Sequence, residues 1–158
     1  MKFRTGIGQD SHRFLADPSE KTCIIAGLPF EDVPGMDADS DGDVVFHAIC
    51  NAITSITHVP ILGGIAIDLC RQGIVNSRIY LEKALKTLGK NQIEHISLTI
   101  EGQRPKFQKR GEEMRQSVAN AAHVSIDQVG ITFTTGDGLT AFGKGEGLIC
   151  FALITISQ

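Results

Sequence analysis

From Asp41 to Ile56 the apolar residues Val44, Val45, Ala48, Ile49, Ala52, Ile53 and Ile56 recur at helical spacing. Such a stripe requires a helix with one face pressed against a larger apolar surface, and no other segment restricts the fold as strongly. Asp43, His47, Cys50 and Thr54 fall on the opposite stripe, so His47 is expected to point away from the core, one turn after Asp43. Ser40 and Asp41 read as the N-cap, with acidic residues set against the positive end of the helix dipole.

The surface for that helix to cover comes from strand-like segments on either side. Phe3–Gly8 and Thr22–Ala26 read as two short strands. His95–Glu101 alternates Ile96, Leu98 and Ile100 with Ser97 and Thr99, the period of a strand with one wet face. Val129–Thr135 is a further strand, opened by the capping-box pattern Ser125-Ile126-Asp127-Gln128, and Leu148–Ile156 is apolar enough to be central. Ser77–Leu88 reads as a second helix, starting at Asn76 or Ser77 and stopping at Gly89, and a third runs from about Phe107 to His123. The expectation is an α+β fold, an α/β sandwich in which a mixed β-sheet carries helices on one face and offers the other to neighbouring subunits. At 158 residues with no internal repeat and no low-complexity linker, residues 1–158 are expected to form a single domain.

Composition excludes several classes. The net charge of −3 without a long basic run leaves no electrostatic footprint for nucleic acid. Cys23, Cys50, Cys70 and Cys150 are scattered, with no C-x-x-C pair, which fits a reduced compartment. The N-terminal residues lack an apolar h-region, and the most apolar run, Leu148–Ile154, is too short to span a bilayer. A cytoplasmic protein with no membrane partner is expected.

Asp10 and His12 stand one residue apart near the N-terminus, and His47 follows the acidic loop Asp37-Ala38-Asp39-Ser40-Asp41-Gly42. Imidazole nitrogen and carboxylate oxygen are the ligands Zn²⁺ takes in catalytic sites, where three protein ligands leave a position open. A lone exposed histidine is usually only a solvated side chain, but the Asp10/His12 pair favours the metal reading, with Asp10, His12 and His47 as the ligands. The same acidic loop matches the first half of a calcium EF-hand. It fails at position 12, where a bidentate Glu is required and Ala48 stands, and in the Pro29 and Pro34 that occupy the place of an incoming helix.

Two further segments suit phosphate. Gly136–Gly147 holds five glycines in twelve residues, with Lys144 inside it and Thr134-Thr135 just before; glycines let backbone N–H groups turn toward an anion, though such a hairpin is as often a simple connection. Arg104-Pro105-Lys106 ends a strand and opens a helix whose first N–H groups can meet phosphate; the bland alternative is a solvated basic face. Asp137 is a candidate for Mg²⁺, which uses one or two carboxylates plus phosphate oxygens. Together these features point to phosphoryl transfer on a diphosphate, carried by positioning and charge neutralisation.

Over essentially its whole length the chain resembles the 2-C-methyl-D-erythritol 2,4-cyclodiphosphate synthase family. The resemblance rests on Gly8-Gln9-Asp10-Ser11-His12 for G-x-D-x-H, Asp39-Ser40-Asp41-Gly42-Asp43 with His47 for H-S-D-G-D-x-x-x-H, Arg104-Pro105-Lys106 for the A-P-K turn, and Thr134-Thr135 with Gly143-Lys144-Gly145-Glu146-Gly147 for T-T-x-E and G-R-G-E-G. It implies a homotrimer with active sites between adjacent subunits, acting on 4-diphosphocytidyl-2-C-methyl-D-erythritol 2-phosphate with release of CMP. It implies one zinc-type ion (Zn or Mn) per subunit on Asp10, His12 and His47, and Mg with the diphosphate. Asp39 and Thr135 fall at catalytic positions. Substrate would be bound by Asp10, His12, Asp39, Ser40, Thr134, Thr135, Asp137 and Lys144, and its cytidine by Gly102, Gln103, Arg104, Pro105, Lys106, Phe107 and Gln108.

The chain departs from the family pattern at several points. Asp39 replaces a histidine, Asp137 a glutamate and Lys144 an arginine, which loses bidentate geometry. The D-I-G-x-x-F-P-D-x-D loop, which contacts the methylerythritol part, is replaced by Pro60-Ile61-Leu62-Gly63-Gly64-Ile65-Ala66-Ile67-Asp68-Leu69, and Phe151 stands where a channel glutamate is usual. An alternative is therefore a non-catalytic CDP-ligand-binding trimer that has lost part of the substrate loop. A calcium-dependent structural module would rest only on Asp37, Asp39, Asp41 and Gly42.

Overall fold

In the computed structural model, which describes residues 1–158, the helix of the apolar stripe runs from Val44 to Thr57 (α1) and lies directly on the strand Phe3–Arg13 (β1). Two glycines permit this approach. A Cβ at Gly6 would sit 2.3 Å from the Ala52 carbonyl oxygen, and one at Gly8 would sit 2.2 Å from both the Ala48 oxygen and the Ala52 nitrogen. At these two positions the strand lies directly against helix backbone. Because strand side chains alternate, Gly6, Gly8, Asp10 and His12 share the helix-facing side. Where the glycines end, Asp10 and His12 reach up toward the start of α1.

The sequence of elements continues with a hairpin of Thr22–Ile25 (β2) and Leu28–Pro34 (β3) before α1. After it come Gly64–Arg71 (α2), Ser77–Lys86 (α3), Gln92–Glu101 (β4), Gly111–Ala122 (α4), Val129–Thr134 (β5) and Gly147–Ser157 (β6). Four strands form a mixed sheet in the order β1-β6-β4-β5, with β6 antiparallel to both neighbours and β4 parallel to β5. β6 is central, as its apolar run suggested, and pairs along its whole length with β1 from Phe3↔Ser157 to Arg13↔Gly147. One continuous core joins its inward residues Leu148, Cys150, Ala152, Ile154 and Ile156 to α1, α3 and α4. The opposite face of the sheet is bare and presents Phe3, Ile7, Phe151 and Leu153, each at least 41% exposed. No helix is long and apolar enough to cross a membrane.

Several local expectations are corrected. β1 extends beyond Gly8, so Asp10 and His12 sit on a strand. Gly27–Gly35, where Pro29 and Pro34 argue against an incoming helix, is largely β3; a two-stranded ribbon is all edge, where missing N–H donors are tolerated. The cap of α1 is Asp43, whose Oδ1 accepts from Val45 N at 3.0 Å and Phe46 N at 3.2 Å, rather than Ser40 or Asp41. Asp43, His47 and Cys50 are buried and do not face solvent, because α1 packs on the sheet with one side and on α3 with another. The segment 60–69 forms most of α2, and the helix expected from Phe107 begins as a 3₁₀ turn at Gln108–Arg110.

Candidate metal centre and nucleotide turn

Asp10 and His12 come from one strand and His47 from the first turn of α1, yet their ligand atoms converge. Asp10 Oδ2 lies 3.0 Å from His12 Nε2 and 3.1 Å from His47 Nδ1, and the two ring nitrogens are 3.4 Å apart. Metal–ligand bonds of about 2.0–2.1 Å in a tetrahedral zinc site put neighbouring ligand atoms roughly 3.3 Å apart, so the triangle has the size a small divalent cation needs. His47 is 6% exposed, while Asp10 and His12 open onto a cleft of about 520 Å³. Burial pushes the Asp10 carboxyl up, but the His12 and His47 rings, when protonated, outweigh it by hydrogen bonding and positive charge and hold the group below its ordinary value.

One wall of the cleft is the loop Asp37–Ser40, the other is Leu62 and the α2 residues Ala66, Ile67 and Cys70. The loop is fixed from behind by Lys21, whose ammonium donates to the carbonyls of Met36 at 2.8 Å, Ala38 at 2.6 Å and Ser40 at 2.7 Å. Asp39 is exposed in this cleft. Ser40 also lines the cleft but is largely buried, and its hydroxyl accepts from Gly42 N at 3.1 Å.

Of the phosphate-suited segments, residues 102–108 and 134–135 lie beyond the ends of β4 and β5, whereas the end of the glycine-rich segment returns to β1, where Phe14 N donates to the Glu146 carbonyl at 2.9 Å and Gly147 pairs with Arg13. Gly102, Gln103, Pro105, Lys106, Phe107 and Gln108 line a small hollow closed by Phe133, Thr134 and Thr135. Phe107 is buried and stacks on Phe133 with ring centroids 5.0 Å apart. Arg104 turns away, donating to the Gly145 carbonyl at 3.1 Å with its guanidinium over the Phe14 ring. Thr135 Oγ1 donates to Asp137 Oδ1 at 3.1 Å, and Lys144 is exposed. The glycine-rich segment is not a slack connection: Lys144 N, Gly145 N and Glu146 N each bond a carbonyl three to five residues back, and Gln103 N bonds the Phe142 carbonyl. β1 and β5 are separated by two strands, so the metal trio and the threonine pair stand about 14 Å apart across the sheet of one chain. They occupy two separate clefts.

The sequence pattern described as the YgbB family is matched over residues 3–157. A 2-C-methyl-D-erythritol 2,4-cyclodiphosphate synthase of Chlamydia felis is 54% identical, over 99% of this chain and 90% of that protein. The chain belongs to the 2-C-methyl-D-erythritol 2,4-cyclodiphosphate synthase family. Among solved structures, the synthase of Plasmodium vivax superposes with a TM-score of 0.83 at 26% identity over 99% of both chains. Another synthase of the family, solved in a CDP-bound form, does so at 0.82 and 26%, over 98% of this chain and 100% of that one. The family's mixed sheet with helices on one face is thus the architecture of this chain.

Residues that sequence reasoning did not single out also shape the metal cleft. Lys21, Tyr80 and Ser77 gave no signal beyond their places in a strand approach and a helix; the contacts that tie them to the cleft, Lys21 to Ser40, Ser77 to His47 and Tyr80 to Cys70, join residues 10 or more positions apart.

Proposed function

We propose that this protein converts 4-diphosphocytidyl-2-C-methyl-D-erythritol 2-phosphate to 2-C-methyl-D-erythritol 2,4-cyclodiphosphate, as a phosphorus–oxygen lyase of non-mevalonate isoprenoid precursor synthesis. An oxygen of the 2-phosphate attacks the β-phosphorus, the bond from that phosphorus to the bridging oxygen breaks, and CMP leaves with the electron pair. The observation that carries the reading is the convergence of Asp10, His12 and His47 on one triangle of ligand atoms. These three would hold a zinc-type ion (Zn or Mn), which supplies charge neutralisation and orientation to a phosphate when bound. Thr134, Thr135, Asp137 and Lys144 engage the diphosphate and its Mg²⁺, while the 102–108 turn takes the cytidine.

A trimer explains why the two clefts lie so far apart in one chain. In this reading the bare face with Phe3, Ile7, Phe151 and Leu153 packs against neighbours, and the metal edge of one subunit meets the nucleotide turn of the next. Contiguous exposed apolar surface of this kind is usually an interface. The chain acts as one domain in the cytoplasm, with a small CDP-linked molecule as its partner.

Purified, metal-loaded protein should release CMP from the authentic substrate, and His47→Ala should abolish that release. No release by the wild type, or equal behaviour of the variant, rejects the proposal. The apolar helix α2 in the place of the usual substrate loop favours a second reading, a CDP-binding trimer without turnover. Calorimetric binding of CDP by a protein that releases no CMP would select it.

A further inference from the structure

His47 makes a second contact on the side of its ring away from Asp10. Its Nε2 lies 2.7 Å from Ser77 Oγ at the start of α3. That hydroxyl in turn makes a short hydrogen bond to Asp41 Oδ1, and Ser77 N donates to Asp41 Oδ2 at 2.9 Å. Ser77 is fully buried and His47 nearly so, which leaves little room for water to exchange into either contact.

A serine hydroxyl has one proton and a carboxylate has none to give. The proton between Ser77 and Asp41 must therefore come from Ser77, since otherwise two oxygens would face each other at hydrogen-bond distance with nothing between them. Ser77 Oγ is then left as an acceptor toward His47, so the His47 Nε2 must carry hydrogen and donate. Ser40 Oγ, 3.5 Å from the same nitrogen and already accepting from Gly42 N, is too distant to replace this contact. A neutral ring protonated at Nε2 has its lone pair on Nδ1, the atom that faces Asp10 Oδ2 at 3.1 Å. Two lone pairs at that distance repel unless a cation sits between them.

We propose that Ser77 and Asp41 are positioning residues that lock His47 in the Nε2–H tautomer and thereby aim its Nδ1 lone pair at the Asp10–His12 pair as a metal ligand. Ligating histidines commonly give their other N–H to a carboxylate or carbonyl, and loss of that partner costs about ten- to hundredfold in metal affinity. Here the carboxylate acts through an intervening hydroxyl, tying the first turn of α3 to the metal centre across 36 residues of sequence between Asp41 and Ser77. The relay rests on the reading of the trio as a cation site, and the two are tested separately.

Long-range ¹H–¹⁵N NMR of the metal-free protein, at a pH above the titration of its histidines, reads the His47 tautomer directly. Nε2–H is expected, and a dominant Nδ1–H ring overturns the proposal without any variant. Zn²⁺ affinity is measured by competition with a chromogenic chelator for wild type, Ser77→Ala and Asn76→Ala. The Asn76 side chain caps α3 by accepting from Arg78 N at 2.9 Å and has no hydrogen bond to His47 or Asp41, so its variant reports on the helix start. Ser77→Ala should weaken Zn²⁺ binding about ten- to hundredfold while Asn76→Ala lowers the melting temperature and leaves Zn²⁺ affinity unchanged. Equal affinities of Ser77→Ala and wild type, or equal losses in both variants, reject the relay. A wild type that takes up no Zn²⁺ rejects the metal reading instead, and the tautomer spectrum still decides the relay.

Discussion

The packing of α1 on β1 through Gly8 couples stability to the metal centre, and Gly8→Ala tests the coupling. The added Cβ would lie 2.2 Å from the Ala48 oxygen and the Ala52 nitrogen, and both are backbone atoms that cannot rotate aside. Ordinary contact begins near 3.4 Å, so helix and strand must separate by about 1.2 Å at this point. His47 stands one residue before Ala48, and Asp10 two residues after Gly8. A shift of that size would carry the Asp10–His47 pair from 3.1 Å to about 4 Å, too wide for a shared small cation. Overpacking of this kind costs about 1–3 kcal/mol, and rigid contacts on both sides place this site at about 3 kcal/mol. For a chain of this length that lowers the melting temperature by about 6–12 °C. Zn²⁺ affinity should fall at least about tenfold. Thermal unfolding of the metal-free protein and chelator competition measure the two effects. Gly64→Ala is the control, because a Cβ there meets nothing within 4 Å and the residue opens α2; it should be neutral or stabilising by up to about 1 kcal/mol. A Gly8→Ala protein that melts with the wild type and binds Zn²⁺ equally well would show that the close approach does not set the site.

Burial, reinforced by the neighbouring Asp41, pushes the Asp43 carboxyl up to about 6 from an ordinary 3.8. The folded state then binds this proton more tightly than the unfolded chain, so its contribution to stability is full below pH 3.8, is lost as pH rises through about 6, and is constant above. Subtracting the unfolding free energy of Asp43→Asn from that of wild type should isolate a decline of about 1–3 kcal/mol over that window, and a flat difference would refute the assignment. Lys21→Met leaves the carbonyls of Met36, Ala38 and Ser40 without their donor; urea unfolding should show a loss of about 3 kcal/mol. Amide exchange should accelerate in residues 36–40, and a loss under about 0.5 kcal/mol would mean that the ammonium does not hold the loop.

What could be read from the residues, and what could not, follows from the range of the interactions involved. The stripe of α1, the central run of β6 and the alternation of β4 are local periodicities, and each became the element it implied. The same periodicity misplaced His47, since a helix packed on a sheet and on α3 has two buried sides while only its more apolar side forms a visible stripe. Helix α2 is short, starts at Gly63-Gly64 and exposes Ile65 and Ile67, so its buried face, Ala66 and Leu69, is hidden among apolar neighbours in the sequence. Asp41 and Ser77 are ordinary capping residues by type, and only tertiary structure gives them a shared partner. The largest gap concerns the site as a whole. The blocks at residues 8–12, 39–47, 102–108 and 134–147 succeed one another in the sequence as one family pattern, yet the fold places the first two around the cleft at the β1 edge and residues 102–108 and 134–135 around a separate hollow beyond β4 and β5. That placement arises from strand order, which no motif in a single sequence encodes.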